Sequence, residues 1–469
     1  MNARLVSEFR SIVGDAGLVV EPEQLRTYEC DGLTLLRVVP DLVLLPSSAQ
    51  EVQQVVKVCH REAIPFVARG SGTGLSGGAL PVKGGVVISV ARMNRILEVD
   101  IPNARVVVEP GVTNSAVTAA VSSRGYFFAP DPSSQSVCTV GGNVAENSGG
   151  AHCFKYGVTT TYVLGLEVVL SDGSLIRLGG KRLDEPGYDL VGAFVGSEGT
   201  FGIVTKITLR VIKKPESVQT LMAAFNSSSE AGTAVSSIIA SGTFPAAMEI
   251  MDRLAIEAAE AAVHANYPDC QALLLVELDG SPCEVELLME KVGPLCKSCG
   301  AWELRLAKSE PERMAVWKGR KAAFAAVGHI SPNYLVQDGV IPRTALPRVL
   351  AAIERLKDAA GLRVANVFHA GDGNLHPLVL YDRRIPGQAE QAMALAEDIL
   401  RLCVEAGGAI TGEHGIGEEK KNFMPVMFSA ADLAAMQRLR SAFDPYDLCN
   451  PTKIFPTETV GTQAPAVNQ

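Results

Sequence analysis

The chain has 469 residues, of which 47% are hydrophobic and 20% charged, so we expect a globular protein with at least two domains. Its 42 basic and 51 acidic residues give a net charge of −9, which argues against an extended nucleic-acid-binding surface. The chain has no run of the roughly 20 apolar residues that a membrane span needs and no apolar core of a signal peptide. Its ten cysteines are scattered, so we expect a cytoplasmic protein with reduced thiols.

The first half of the chain follows an N-terminal helical segment, predicted at residues 1–37, and contains many short valine-rich runs. "DLVLLP", "IPFVA", "GVVISV", "ARVVVEP", "YVLGLEVVLSDGS" and "GIVTKITLRV" predict strands. Ser48 and Glu51 have the spacing of a capping box before a helix. We therefore predict an α/β domain with much sheet at residues 38–216.

The second half changes character, with long Ala/Glu/Leu segments between single strands. "AMEIMDRLAIEAAEAA" and "QAEQAMALAEDILRLCVEAGG" predict helices, whereas "ALLLVELDG" and "RVANVF" predict strands. This pattern predicts a second α+β or α/β layer, a domain at residues 217–445. A C-terminal segment at residues 446–469 ends in turn residues and a tail that we expect to be disordered.

A glycine-rich loop, "RGSGTGLSGGALP", follows the strand "IPFVA". Gly72, Gly74 and Gly77 fit the G-x-G-x-x-G pattern, but a dinucleotide-binding Rossmann turn must also open a helix. Pro81 and Gly84 follow almost at once, and the next apolar run is a strand, so no helix can start there. Two interpretations remain: a phosphate cradle made of loop N–H groups, or a flexible surface loop.

Two further stretches favour the phosphate cradle. The segment "PDPSSQSVCTVGGNVAENSGG" is dense in glycine and asparagine, which suits a close backbone approach to a large polar ligand. A third stretch, "GSEGTFGIVTKITLRV", begins with glycine and leads into a strand. Three such stretches indicate a ligand longer than a mononucleotide.

These three stretches, in this order, resemble the FAD-binding domain of the vanillyl-alcohol oxidase / p-cresol methylhydroxylase superfamily. Downstream, "FHAGDGNLHP", "GEHGIG" and "NPTKIFP" resemble its FAD-linked 2-hydroxy-acid dehydrogenase branch, which includes D-lactate dehydrogenase, D-2-hydroxyglutarate dehydrogenase and the flavin subunit of glycolate oxidase. "GRKAAFAAVGHISPNY" is most similar to the last of these. The resemblance implies an α+β fold, with a two-part FAD-binding domain and an α/β cap domain for substrate.

The resemblance also implies which residues bind FAD. The matched positions are Arg69, Gly70, Ser71, Gly72, Thr73, Gly74, Leu75, Pro130, Asp131, Ser134, Thr139, Gly141, Gly142, Asn143, Ala145, Asn147, Glu198, Gly202, Ile203 and Asn450. Some relatives attach FAD through a histidine. The first cradle has none, and His152 lies outside the usual attachment position, so we expect non-covalent FAD.

Two of the seven histidines bracket the stretch "HAGDGNLH". Strand-like sequence flanks Asp372-Gly373, a strong signal for a two-residue hairpin turn. That turn would place His369 directly opposite His376, with their Cβ atoms about 5 Å apart on one face. Two such imidazoles can share a divalent ion, although the spacing alone also fits an ordinary pair of hydrogen-bonded histidines.

A third histidine lies in "GGAITGEHGIGEEKK", where Glu413 and His414 stand between glycines. The loop offers a carboxylate ligand beside a titratable base, or else an ordinary exposed turn. The resemblance assigns Glu413 to a metal site with His369 and His376, makes His414 the general base, and matches Arg320 to the arginine that binds the substrate carboxylate. Two nitrogen ligands and one oxygen ligand suit zinc, manganese or iron(II), and we rank zinc first.

The resemblance implies oxidation of a small 2-hydroxy acid, glycolate or D-lactate, to the 2-oxo acid, with hydride passing to flavin N5. Relatives that act on larger diacids often carry a lysine where this chain has Gln337, which weakens the 2-hydroxyglutarate alternative. A non-catalytic FAD-carrying subunit is the other alternative. The chain has no iron–sulfur cysteine pattern, so electrons need an outside acceptor: a second flavin-fold subunit with an iron–sulfur subunit, or a quinone. Peripheral membrane attachment would come through such partners.

Overall fold

The computed structural model describes residues 1–182 and 186–457. The first half consists mainly of strands. It contains, in chain order, α1 (Ala3–Val13), β1 (Leu18–Val19), α2 (Pro22–Leu25), β2 (Leu42–Leu44), α3 (Ala49–Arg61), β3 (Phe66–Arg69), β4 (Val86–Ser89), β5 (Ile96–Asp100), β6 (Arg105–Val108), α4 (Asn114–Ser122), β7 (Tyr126–Phe127), α5 (Val140–Glu146), α6 (Cys153–Tyr156), β8 (Val163–Val169), β9 (Leu175–Gly179), α7 (Leu190–Phe194), β10 (Ile203–Arg210) and β11 (Ile212–Lys213).

The strands of the first half form two main sheets. One has the order β1-β2-β4-β3, in which β2, β4 and β3 run parallel, and the other is antiparallel with the order β5-β6-β10-β8-β9. All six predicted strands are confirmed. The segment predicted as helical also supplies β1, which pairs with β2. The predicted capping box is only half formed: Ser48 accepts from the Glu51 amide, but the Glu51 carboxylate binds the amide of Ser47.

The loop after β3 contains no helix. Residues 70–85 cross from β3 to β4 as turns and bends, as the sequence predicted. The next helix along the chain is α4, and α5 begins within the second glycine-rich stretch, where Thr139 caps it by accepting a hydrogen bond from the Gly142 amide. The first glycine-rich loop is therefore not a Rossmann turn.

The second half is an antiparallel sheet covered by helices on both faces. It contains β12 (Ser217–Phe225), α8 (Ser228–Ala240), β13 (Ala247–Asp252), α9 (Arg253–Val263), β14 (Ala272–Gly280), α10 (Pro282–Ser298), β15 (Glu303–Leu306), α11 (Glu310–Ala326), β16 (Asn333–Val336), β17 (Gly339–Val340), α12 (Leu346–Ala360), β18 (Arg363–His369), β19 (Asn374–Tyr381), α13 (Gln388–Glu405), α14 (Met424–Met427) and α15 (Ala430–Phe443).

The strand order of this sheet is β15-β12-β14-β13-β18-β19-β16, with β17 also paired to β19. Helices α8, α10, α12 and α13 bury their apolar residues against one face, and α9 and α11 cover the other. Because both faces are covered, the central strands β13 and β14 are buried almost throughout. Acidic side chains on them are therefore exceptions with a role to explain.

The prediction of one long helix over "AMEIMDRLAIEAAEAA" is wrong in its first third. Ala247–Asp252 is the buried strand β13, between β14 and β18, and α9 begins only after Asp252, which accepts a hydrogen bond from the Ala255 amide. Helical spacing and a fully buried strand look alike over such a short apolar run, and tertiary pairing decides between them. As part of this strand, Glu249 lies in the protein interior.

The predicted register of the β18–β19 hairpin is also wrong, by two residues. His369 pairs with Asn374, and His376 pairs with Val367. A two-residue type I′ turn requires positive φ at Asp372, which it does not have. Its carboxylate instead accepts from the Asn374 amide, and residues 370–373 form the turn. Because a shift of two residues preserves the face, His369 and His376 still lie on the same side of the sheet.

The C-terminal segment returns to the first half. Cys449 forms a bridge with Phe66 beside β3, and Phe443 stacks on Phe201 with ring centroids 4.5 Å apart. The predicted tail at residues 458–469 lies outside the described residues. Within the described ranges, no helix is both long enough and apolar enough to cross a membrane.

Candidate active site

A cavity of about 500 Å³ extends from the glycine-rich loops of the first half to the loop that carries Glu413 and His414. Most residues predicted to bind FAD line it: Arg69, Gly70, Ser71, Gly72, Thr73, Gly74, Leu75, Ser134, Thr139, Gly141, Gly142, Asn143, Ala145, Glu198, Gly202 and Ile203. Residues 324, 334 and 336 of the second half close the end near His414. One cavity therefore joins the predicted cofactor loops to the predicted base.

Four of the predicted FAD contacts do not line this cavity, and each has a partner in the protein. The Pro130 carbonyl accepts from Asn114, and the Asp131 carboxylate is hydrogen-bonded to His152. Asn147, in the left-handed conformation at the end of α5, accepts from the Thr160 amide. Asn450 donates to the carbonyls of residues 78 and 198. These residues shape the walls around the cavity.

The cavity has the features that a large polar cofactor requires. The first and second loops touch so closely that a Cβ on Gly70 would lie 2.1 Å from Thr139 Oγ1, whereas a Cβ on Gly74 would meet nothing within 4 Å. Three lining residues, Asp31, Glu146 and Ser197, each keep a buried oxygen without a hydrogen-bond partner among the described residues. Close loop packing, open space and unpaired polar atoms fit FAD bound by backbone groups.

His369, His376 and Glu413 meet at one point behind the cavity wall. Glu413 Oε1 lies 3.3 Å from His369 Nε2 and 3.1 Å from His376 Nε2, and the two rings are perpendicular with centroids 5.0 Å apart. Ligands placed tetrahedrally at about 2.0 Å from a zinc ion lie about 3.3 Å from one another. The spacing of these three atoms therefore fits one small divalent ion.

The second nitrogen of each imidazole is held by a hydrogen bond. His369 Nδ1 lies 2.8 Å from Glu249 Oε1, and His376 Nδ1 lies 3.2 Å from the Gln337 carbonyl oxygen. With Nδ1 held by an oxygen, the Nε2 atom of each ring faces Glu413 and is the atom that would bind an ion. His369 Nε2 is hydrogen-bonded to Glu413 Oε1, and His376 Nε2 is buried without a hydrogen-bond partner among the described residues. Such outer partners are the usual companions of metal-binding histidines.

Asp338, His376 and His414 form a second group with metal-ligand spacing. Asp338 has no exposed surface, and its carboxylate already accepts from the Thr411 hydroxyl and from the amides of residues 412, 413 and 414, at 2.5–3.3 Å. Most of these donors bind Oδ2, so the carboxylate is committed to the loop backbone, whereas Glu413 Oε1 faces the Nε2 atoms of two imidazoles; we therefore favour the Glu413 group. Asp338 instead holds the Glu413–His414 loop in place.

His414 is stacked on His376, with ring centroids 4.9 Å apart, and its Nε2 lies 4.0 Å from Glu413 Oε1. Burial lowers the pKa of His414 to about 4, although the charge of Asp338 opposes this shift. The imidazole is therefore neutral near pH 7 and can accept a proton. His414 lines the cavity, so it can reach a bound molecule.

Arg320, on α11, is deeply buried rather than exposed in the cavity. Its Nε donates to Glu249 Oε2 at 2.7 Å, and its guanidinium carbon lies 5.9 Å from the ring centre of Phe324, which lines the cavity. Its Nη2 lies 2.5 Å from the same Glu249 oxygen without forming a hydrogen bond. Arg320 is therefore next to the site but tied to Glu249.

Glu198 holds the C-terminal side of the loop that carries Glu413 and His414. Its carboxylate accepts from the amides of Ile416 and Gly417 at 2.7 and 2.6 Å, so a residue of the first half anchors a loop of the second. Sequence reasoning assigned Glu198 to FAD and missed Glu249 and Asp338 entirely. The sequence offers only weak signals for them: Glu249 lies within an apolar stretch ("AMEIMD"), and Asp338 lies shortly after another ("LVQDG").

Comparison with known protein families decides what kind of protein has this site. Residues 40–179 match an FAD binding domain, and residues 214–454 match the C-terminal domain of FAD linked oxidases. The chain belongs to the FAD-linked oxidase family. The prediction of an FAD-linked oxidoreductase is therefore confirmed, and the two matched ranges correspond to the two halves of the fold.

Curated relatives cover nearly the whole length of this FAD-linked oxidase. It is 49% identical to the glycolate oxidase subunit GlcD of Escherichia coli strain K12, over 93% of this chain and 87% of the relative. It is 39% identical to the GlcD subunit of Bacillus subtilis strain 168, over 91% and 92%. A D-lactate dehydrogenase of Anaerostipes hadrus is 32% identical, over 88% and 89%.

Solved structures agree on the fold of this FAD-linked oxidase. The 4-ethylphenol oxidase of Gulosibacter chungangensis superposes with a TM-score of 0.80 at 20% identity and covers 97% of both chains. p-Cresol methylhydroxylase superposes with a TM-score of 0.80 at 19% identity, over 96% of this chain and 95% of its own. The predicted α+β fold is confirmed, with an FAD binding domain in the first half and the overall fold of p-cresol methylhydroxylase.

Proposed function

We propose that this FAD-linked oxidase converts a small 2-hydroxy acid, glycolate or D-lactate, to the 2-oxo acid. The observation that carries the proposal is the single cavity whose walls include both glycine-rich loops, Glu413 and His414. A base and metal-ligating side chains at one end of a cofactor cavity are what alcohol oxidation by hydride transfer needs. The names of the relatives, glycolate oxidase subunit and D-lactate dehydrogenase, agree with this class of substrate.

When bound, FAD supplies the hydride acceptor, and a divalent ion, with zinc ranked ahead of manganese and iron(II), supplies a Lewis acid. His369, His376 and Glu413 would hold that ion. His414 accepts the proton of the substrate hydroxyl at Nε2, because its imidazole is neutral near pH 7 and lines the cavity. The Arg320 guanidinium, next to the lining residue Phe324, would attract the substrate carboxylate through its charge.

The proposed size of the acid follows from the wall around the base. Phe324, Tyr334 and Val336 line the cavity there, and among the described lining residues the only arginine or lysine is Arg69, in the first glycine-rich loop. A second carboxylate on the substrate would find no cation at this wall and would be costly to bury. Gln337 is itself buried. These features favour a monocarboxylic acid over 2-hydroxyglutarate.

We further propose non-covalent FAD and electron transfer to a separate protein or a quinone. The first glycine-rich loop has no histidine for a covalent bond. Among the described residues, all ten cysteines are free, and no metal-ligand cluster includes a cysteine. Electrons that reach the flavin would therefore leave through another molecule. A second flavin-fold subunit with an iron–sulfur subunit would serve.

An anaerobic titration tests the proposal. Purified protein, loaded with FAD and with its metal content measured, is mixed with glycolate, D-lactate, L-lactate and D-2-hydroxyglutarate in turn. We expect glycolate or D-lactate to bleach the oxidised-flavin absorbance. Bleaching by 2-hydroxyglutarate alone would move the assignment to a diacid, and bound flavin that no acid reduces would identify a non-catalytic carrier. Acid washing or denaturation should release the FAD, since we propose that it is not covalently attached.

A further inference from the structure

Glu249 contacts both His369, a proposed metal ligand, and Arg320, the proposed substrate-binding arginine. It lies on the buried strand β13 with no exposed surface. Its Oε1 is 2.8 Å from His369 Nδ1, and its Oε2 accepts from Arg320 Nε at 2.7 Å. One carboxylate therefore holds both the proposed metal ligand and the proposed substrate arginine.

Glu249 also places a negative charge between Arg320 and the proposed metal site. Arg320 is 2% exposed, and Glu249 is the only carboxylate paired with it in the described part of the chain. A divalent ion at His369 Nε2 would place a second cation on the opposite side of Glu249. Two buried cations repel each other strongly at low dielectric, and an anion between them removes most of that cost.

We infer that Glu249 is a positioning residue that couples metal binding to substrate binding, by orienting His369 and by neutralising Arg320. The inference rests on the proposed function. Neither task needs contact with the substrate or the flavin. The same carboxylate fixes the separation between the metal ligand and the guanidinium, and so the separation at which a 2-hydroxy acid must present its hydroxyl and carboxylate oxygens.

The first test measures zinc binding without substrate. FAD-loaded protein is stripped of metal and titrated with zinc alone against a chromogenic chelator. Glu249→Gln keeps the size of the side chain but has a single acceptor oxygen, so it cannot accept from both His369 and Arg320. We expect zinc affinity to fall 10- to 100-fold, the usual range for outer partners of metal-binding histidines, and KM for the acid to rise about tenfold with a smaller change in kcat.

A double variant separates coupling from simple support of His369. If Glu249 neutralises Arg320, then removing both charges in Glu249→Gln/Arg320→Met should recover at least tenfold of the lost zinc affinity. If Glu249 only orients the imidazole, the double variant should bind zinc no better than Glu249→Gln. That second result would overturn the coupling.

Asp252→Asn is the matched control. Asp252 is a buried carboxylate on the same strand, and it accepts from Asn366 rather than from His369 or Arg320. The Asp252→Asn substitution should leave zinc affinity unchanged. Thermal unfolding of both variants shows whether a fall in zinc affinity comes only from lost stability. Unchanged zinc affinity in a folded Glu249→Gln protein, or a wild-type protein that takes up no zinc, manganese or iron(II), would overturn the inference. Failure of every acid to reduce the wild-type flavin, with the zinc pattern as expected, would overturn the proposed function alone.

Discussion

Asp338→Asn most directly tests how the loop that carries Glu413 and His414 is held in place. Asp338 accepts from the amides of Gly412 and His414 at 2.9 Å and from that of Glu413 at 3.2 Å, and its Oδ2 lies 3.5 Å from Lys420 Nζ. Burial opposes ionisation of this carboxyl, but the positive charges of His414 and His376 in their protonated forms and of Lys420 outweigh burial and hold its pKa well below the usual range. An asparagine offers one acceptor oxygen and no charge.

The expected magnitude follows from the lost charge, because the amides of residues 412–414 and Lys420 all contact the same oxygen, Oδ2, which an asparagine oxygen can replace. A hydrogen bond to a charged acceptor contributes about 1.5–3 kcal/mol against about 1 kcal/mol for a neutral one, and the ion pair with Lys420 is lost as well, so we expect local opening of the loop to become easier by about 3 kcal/mol. Since about 1.4 kcal/mol corresponds to tenfold, hydrogen exchange at the amides of residues 412–414 should accelerate about 100-fold. Flavin reduction by the acid should slow by a similar factor, because a shift of about 1 Å at a catalytic group costs about that much.

Exchange mass spectrometry of wild type, Asp338→Asn and Asp252→Asn provides the assay. Asp252→Asn removes a buried carboxylate elsewhere and should leave exchange at residues 412–414 unchanged. Equal exchange at these amides in wild type and Asp338→Asn would refute the reasoning, since it would mean that the loop does not depend on the carboxylate.

Three further variants test the other parts of the account. Glu413→Gln should abolish stoichiometric zinc uptake while FAD stays bound, as measured by metal analysis and absorbance; full zinc occupancy would contradict the ligand assignment. His414→Asn should slow anaerobic flavin reduction by about 10²–10⁴-fold with metal and FAD content unchanged, and an unaltered rate would exclude it as the base. Burial opposes the charge of His152, but Asp131 and Glu277 outweigh burial and raise its pKa to about 10. His152→Asn should therefore lower the free energy of unfolding by about 2 kcal/mol at pH 6.5 and by less as the pH rises toward 10, and a pH-independent difference would contradict this.

Sequence reasoning was reliable where a motif is local. The first glycine-rich loop contains no helix because Pro81 and the glycines around it prevent one, and this can be read directly from the chain. The predicted pairing of His369 with His376 is wrong, but their placement on one face is correct despite the error of two residues in register, because side chains alternate with a period of two. A one-residue error would have separated them.

The parts that sequence reasoning missed depend on long-range packing. Glu249 reads as a helical position until β13 is seen to pair with β18, and only that pairing brings it to His369, 120 residues away along the chain. Asp338 and Glu198 reach the catalytic loop from 75 and 218 residues away. No spacing rule predicts such contacts, because the fold as a whole creates them.

An anomalous difference map from crystals of the FAD-loaded protein grown with zinc tests the central claim most directly. The account predicts one strong peak within about 2.2 Å of His369 Nε2, His376 Nε2 and a Glu413 oxygen, in the wall of the cavity that contains the flavin. A peak held instead by Asp338 and His414, or no peak beside these residues in a zinc-replete crystal, would contradict it.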